Sequence, residues 1–343
     1  MAGPIKTGFI LGAGASLSAG YPLAKDIPAV IQSFVDRITE RLDCDQLRAW
    51  CKDTLELMRH ENCQTLDELA FARRERDGGQ AVLRAKAVMT ALFLALESNA
   101  DLTPYRRAAH QTMIDFDGLE LRDDGEMRVP TSAFCISYNY DRCLEAAIFE
   151  EIVASGRDPQ RGYTSKDVEV SVQRLINSGL NTMRERYEPI DTTRFSILKM
   201  HGLIGTLRKQ TRVGGKPLCD FGKVAVSDEL LGAFQRDHWR KSPTMIFFPW
   251  EANDAPNWTR ALIEETDRAA EVFLAGAEEL KIVGYSFHDL NRPRFERLLA
   301  KAQGCKVIDL YDPSEEPWLR LQSLTNRLNI PAKLLWHKEG WQP

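Results

Sequence analysis

The sequence lacks the features that mark several protein classes. Its seven cysteines (Cys44, Cys51, Cys63, Cys135, Cys143, Cys219 and Cys305) are odd in number and form no CxxC pair. That argues against a disulfide framework and against a structural zinc site. No segment approaches the roughly 20 apolar residues of a membrane span. The first apolar run, GFIL, meets glycine at once and is too short for a signal peptide. Basic charge is not in excess: 45 Lys and Arg against 49 Asp and Glu leave a net charge of −4, so no global field directs the chain to nucleic acid or to an anionic membrane. Repeats and low-complexity tracts are absent as well. A soluble protein of a reducing compartment, in the cytoplasm and without membrane contact, is the expectation. What remains is an ordinary globular composition, 43% hydrophobic and 27% charged over 343 residues. That length suits one large α/β domain with insertions, or two domains.

Short apolar runs alternate with stretches of helical periodicity. IKTGFIL (5–11), TSAFCIS (131–137), RFSILKM (194–200), PTMIFF (243–248), KIVGYSF (281–287), KVIDLY (306–311) and AKLLW (332–336) read as strands. Apolar residues at helical spacing run from Ile27 to Leu42, and helical stretches follow at 46–60, 66–75, 81–98 and 104–116. The last opens on Thr103-Pro104, a cap and first-turn pair. Further helices are expected at 141–154, 167–186, 256–275, from 289 and up to 329, while 118–130 reads as a loop or small hairpin. Apolar strands separated by helices predict an α/β fold: a Rossmann-like, mainly parallel sheet with helices on both faces. The helical block divides the first strand from the next. It is expected to form an inserted helical subdomain, 27–130, with 1–26 and 131–343 making the sheet domain.

Polar clusters follow the strands. GAGAS (12–16) follows the first, SYNYD (137–141) the second and MHG (200–202) the third; GYSF (284–287) and YDPSE (311–315) follow later ones. In doubly wound sheets ligands bind at the carboxyl ends of the strands, so these clusters are expected to face one crevice. Glycine allows close approach and positive φ, and the backbone N–H groups around Gly12, Gly14 and Ser16 are expected to face a pyrophosphate. The fingerprint of hydride-transferring enzymes is nevertheless incomplete. Its third glycine is replaced by Leu17, and the nearest acid, Asp36, falls inside a helical stretch.

The stretch GAGASLSAGYP (12–22) resembles the sirtuin pattern GAGxSxxxGxP, and further segments follow in the sirtuin order. SYNYD resembles the segment whose Asn and Asp face the nicotinamide ribose. KMHG (199–202) resembles the catalytic His-Gly segment, and VGYSF (283–287) the segment that contacts the dinucleotide. YDPSE falls where the family places a loop around the adenosine ribose. The chain departs from the deacylase branch in three places. Leu23, Ala24 and Lys25 stand where Asp-Phe-Arg follows the proline, Tyr138 replaces the usual Gln, and the zinc-ribbon CxxC pairs are missing. The resemblance is therefore to the sirtuin-like NAD-hydrolase branch typified by bacterial anti-phage proteins.

That resemblance implies an NAD+ glycohydrolase that cleaves NAD+, as substrate, to nicotinamide and ADP-ribose, with no metal. Asn139, Asp141 and His201 would be catalytic. Gly12, Ala13, Gly14, Ser16, Pro22, Tyr138, Gly202, Gly284, Ser286 and Asp312 would contact the dinucleotide. The residue chemistry agrees, because cleavage passes through a cationic, oxocarbenium-like sugar. His201, with an ordinary pKa near 6.5, suits a general base. Asn139 suits holding the ribose or water, or capping the helix that starts near Asp141. Asp141 would stabilise the developing charge or orient the base. Ser286 and Asp312 read either as nucleotide contacts or as turn residues, and His288 either reaches the site or starts a helix. An NAD-depleting enzyme needs restraint, so control is expected from a homo-oligomer or an operon-encoded partner, such as an ATPase or Argonaute-like protein. The helical insertion and residues 205–240 are the expected surfaces. Two alternatives stay open: an NAD-dependent protein deacylase, and a catalytically silent module that binds NAD or ADP-ribose.

Overall fold

The computed structural model describes residues 6–38, 45–76, 79–97, 100–108, 133–154, 195–207, 244–251 and 257–341, with short stretches at 120–121, 127–128, 190, 192, 212–213 and 216–217. The helix expected at 167–186 and much of 205–240 lie outside the described residues.

Six strands form one parallel sheet: β1 (Thr7–Leu11), β2 (Ala133–Ser137), β3 (Ile197–Lys199), β4 (Glu279–Val283), β5 (Val307–Tyr311) and β6 (Lys333–His337). Their order is β3-β2-β1-β4-β5-β6. The chain builds outward from β1 on one side, returns to lay β4 against β1, and builds outward on the other. This is the Rossmann-like order, and its switch point lies between β1 and β4. Leu11 sits level with Ser137 on one side and Val283 on the other, so the three central strands deliver their loops at one height.

Side chains alternate across a strand, and that alternation divides the interior. Phe9 and Leu11 enter one apolar cluster and Ile10 the other. Helices α1 (Ile27–Ile38), α2 (Asp45–His60), α3 (Leu66–Arg73), α4 (Gln80–Glu97), α5 (Thr103–Ala108) and α6 (Cys143–Ala154) contribute to the first cluster. Helices α7 (Asn257–Gly276), α8 (Arg292–Leu299) and α9 (Glu315–Arg327) cover the opposite face. The helical block thus shares its core with the sheet. Two buried ion pairs tie α4 to the sheet side: Arg142 reaches Glu97 through Nε at 3.0 Å, and Lys86 Nζ lies 2.7 Å from Glu251. Among the described residues, no helix is long and apolar enough to cross a membrane.

Some strands lie outside this sheet. The PTMIFF strand, Thr244–Ile246, pairs antiparallel with Gly202–Leu207. Gly202 has φ +78°, a conformation that favours glycine, and turns the chain away just after β3. The hairpin expected within 118–130 is represented by Glu120–Leu121 paired with Met127–Arg128.

Candidate active site

An open cleft of about 120 Å³ lies at the carboxyl ends of β1, β2 and β4, at the switch point of the sheet. Gly12, Ala13, Ser16, Pro22, Tyr138, Asn139, Asp141, His201 and Ser286 line it; Gly14, Gly202, Gly284 and Asp312 do not.

The glycine spacing has a packing cause. The loops after β1 and β4 lie against each other. A Cβ on Gly14 would stand 2.7 Å from the Gly284 Cα, and one on Gly284, whose φ is +56°, would stand 2.4 Å from the Gly14 Cα. The N–H of Gly12 donates to Val283 O at 2.9 Å and that of Gly14 to Gly284 O at 2.9 Å. Of the N–H groups expected to face a pyrophosphate, those of Gly12 and Gly14 are thus taken by the end of β4 and by the residue after it.

Ser16 is the hub of the polar wall. A hydroxyl has one proton and two lone pairs. Ser16 Oγ donates to Asp141 Oδ2 at 2.6 Å and accepts from Asn139 Nδ2 at 3.0 Å. The Tyr105 hydroxyl, 2.7 Å away, is left to donate into the second lone pair. Ser16 is saturated within the protein, so its function in the cleft is to fix Asn139 and Asp141. The other oxygen of Asp141 accepts the N–H of Cys143 at 3.0 Å, where α6 begins. The bond to the start of that helix thus comes from Asp141, while the Asn139 amide turns to Ser16. Beneath them, buried Lys199 donates to the Asp141 carbonyl at 2.7 Å and sits 3.3 Å from Glu145, whose carboxyl is pushed up in pKa by burial.

His201 is buried, and its Nε2 lies 2.8 Å from Asn291 Oδ1. The rings of Tyr138 and Tyr140 approach it at 5.3 and 5.5 Å. Burial, aided by the Arg294 guanidinium, lowers its pKa to about 3. The shift takes it well below the ordinary value near 6.5, so His201 is neutral throughout the physiological range.

The facing wall is helical. Thr65, Leu66 and Asp67 come from the start of α3, and Met89 and Phe93 from α4. Thr65 and Glu68 form a reciprocal capping box that sets the first turn of α3, and so places Asp67. Asp67 Oδ1 accepts from the Tyr140 hydroxyl at 3.2 Å. Burial raises its pKa to about 6, opposed by that hydrogen bond. His288 lines the cleft and stands 3.6 Å from Glu68, bringing the β4 loop against α3.

Asp312 follows β5, one strand beyond β4. Its carboxylate accepts the Ser314 N–H at 2.8 Å and its carbonyl accepts from Trp336 Nε1 at 2.8 Å, so it serves as a turn residue outside the cleft. Sequence reasoning missed Tyr21, Asp67, Phe93, Tyr140, Tyr285 and Asn291, all of which line the cleft. Tyr140 and Tyr285 sat inside quoted motifs. Asn291 carried one usable signal, its place just before Arg292-Pro293 at a helix start. Among the described residues, no three His, Cys, Asp or Glu side chains converge as a metal site.

No protein-family model matches the chain, and no curated protein matches it. The fold and the cleft define the class: a Rossmann-like α/β protein with an open cleft at its switch point.

Proposed function

We propose that this protein is a sirtuin-like NAD+ glycohydrolase, converting NAD+ and water to nicotinamide, ADP-ribose and a proton. One observation carries the reading. Asn139, Asp141 and His201, named by their resemblance to the sirtuin segments, line one cleft with the glycine loop at the switch point. Breaking the nicotinamide–ribose bond builds positive charge on the sugar, and fixed carboxyl groups aimed at that charge lower the barrier. Asp141 is held by Ser16 and the Cys143 N–H, so it need not reorganise. Asn139 gives its N–H to Ser16 and keeps Oδ1 to hold a ribose hydroxyl or water. His201, neutral, takes a proton from that hydroxyl or water at Nε2 once Asn291, 2.8 Å away, yields that nitrogen. Phe93 and Tyr140 offer flat apolar surface to the leaving pyridine ring. The same resemblance makes the protein an anti-phage effector that depletes NAD+ in the cytoplasm, under the control of a homo-oligomer or an operon-encoded partner.

A silent NAD- or ADP-ribose-binding module is the second reading, and one observation favours it: His201 is buried with its Nε2 engaged by Asn291 at 2.8 Å, which leaves the ring poorly placed to act as a base. Incubating the purified chain with NAD+, alone and with its neighbouring gene products, separates the two. Nicotinamide release that His201→Ala and Asn139→Ala each reduce by about 100-fold or more is expected for the hydrolase. Undiminished turnover in either variant overturns the assigned roles. Tight nucleotide binding without turnover selects the silent module, and O-acyl-ADP-ribose formed from an acylated peptide selects a deacylase.

A further inference from the structure

Helix α8 begins at Arg292, and Asn291 occupies its N-cap position without making a side-chain capping bond. Asn is favoured at that position because its oxygen accepts an N–H of the first turn, a contact usually worth about 1 kcal/mol. Here the amide turns into the cleft instead and meets His201 Nε2 at 2.8 Å. From the same helix, buried Arg294 donates Nη1 to the carbonyl of Met200 at 2.7 Å, and Asp267 holds the guanidinium at 2.8 and 2.6 Å. One short helix thus grips the histidine segment twice, once on the ring and once on the backbone just before it.

The imidazole has a second polar neighbour, the backbone of Tyr138. The Tyr138 N–H is given to Leu11 O, so its backbone offers the ring only a carbonyl. A neutral imidazole carries one N–H and one lone pair, so a partner at Nε2 that can donate suits it. A primary amide meets that requirement. It accepts through Oδ1 or, after a half-turn of its terminal bond, donates through Nδ2. A carboxylate in the same place would only accept, and would hold the proton on Nε2. The charged groups acting on the ring are Arg294 from α8 and Lys199 from β3, both cationic, with Asp67 of α3 lying behind the Tyr140 ring.

We propose that Asn291 is a positioning residue that acts through His201, fixing the plane of the neutral imidazole by holding its Nε2, a role that rests on the hydrolase reading for its effect on turnover. The geometry alone carries its effect on the ring.

The test uses the full chain in three forms: wild type, Asn291→Ala and Asn291→Asp. The His201 ring is followed by NMR titration, its signal assigned by its loss in His201→Gln. Nicotinamide release from NAD+ is measured across pH on the same preparations. Asn291→Ala is expected to keep its fold, there being no capping bond to lose. It should lose about 10- to 100-fold in kcat with KM for NAD+ within about twofold. In Asn291→Asp the new carboxylate is expected to raise the pH at which His201 titrates by about one unit or more, and to move the acid limb of the rate profile the same way. A merely structural residue would move neither the titration nor the profile. Unchanged His201 titration in both variants, or wild-type kcat in Asn291→Ala, overturns the proposal. A wild-type chain that releases no nicotinamide overturns the hydrolase reading instead, and the titration still decides whether Asn291 governs the ring.

Discussion

One wall of the cleft is made of strand ends and the other of helices, and different forces hold them. The strand wall extends the backbone ladder: Gly12 N–H reaches Val283 O, Tyr138 N–H reaches Leu11 O at 2.9 Å and Met200 N–H reaches Ser137 O at 2.8 Å. Main-chain bonds of this kind survive side-chain change, because every residue but proline carries both groups. Among the described residues the helical wall has no such ladder to the sheet, only a single main-chain bond nearby, from Asp101 N–H to Ala19 O at 3.2 Å. It rests on apolar packing and on a few polar ties: Tyr105 to Ser16, Asp67 to Tyr140, Glu97 to Arg142 and Lys86 to Glu251. Its position relative to the catalytic candidates therefore depends on side chains far more than that of the strand wall does.

Breaking the strongest of those ties should give the largest effect. Arg142 is 1% exposed and its partner Glu97 14%. Arg142→Met leaves the Glu97 charge largely out of water and uncompensated, a loss on the order of 3–5 kcal/mol, readable from urea unfolding. A loss below about 1 kcal/mol would show that the helical wall stands on its apolar packing alone.

The two walls should also answer pH with opposite signs. Asp67 has its pKa raised to about 6, so the native state holds its proton more tightly than the unfolded chain does. Its contribution to stability is full below about pH 4 and is lost as pH rises through about 6, by about 3 kcal/mol at most. Asp67→Asn should be more stable than wild type above pH 6 and equal to it near pH 4. His201 has its pKa lowered to about 3, and its contribution is full above the unfolded value near 6.5 and lost as pH falls. His201→Gln should therefore escape about 2 kcal/mol of the loss that wild type suffers on going from pH 6.5 to 5. Unfolding measured across pH 4–8 for the three proteins checks both signs. Slopes of the same sign in the two variants would remove the distinction between the walls.

The strand wall was legible in the sequence and the helical wall was not, for a physical reason. A buried parallel strand must be a short apolar run, and the polar residues that follow it must emerge at the sheet's carboxyl edge; GAGAS, SYNYD, MHG and GYSF all advertise this. Asp67, Met89 and Phe93 lie in helices whose periodicity reports which side is apolar, and nothing local says that this side meets a cleft. Asp312 differs: YDPSE carries the same polar signature as the others, but β5 stands one place further from the switch point, and one oxygen of its carboxylate accepts the Ser314 N–H. PTMIFF had the composition of a sheet strand, but Gly202 turns the preceding chain out of the sheet and Thr244–Ile246 pairs with that segment.

The sequence by itself determined the class of fold, the elements at the sheet's carboxyl edge and the residue types brought there, because periodicity and turn chemistry are local. Tertiary structure alone decided what each group is free to do. Gly14 must be glycine because Gly284, distant in the chain, leaves no room for a Cβ. Ser16 is saturated because Tyr105, Asn139 and Asp141 converge on it. His201 is neutral because burial and Arg294 disfavour its cation. Hydrogen-bond saturation, steric contact and desolvation are set by neighbours in space, and those neighbours come together only when the strand order closes β4 against β1.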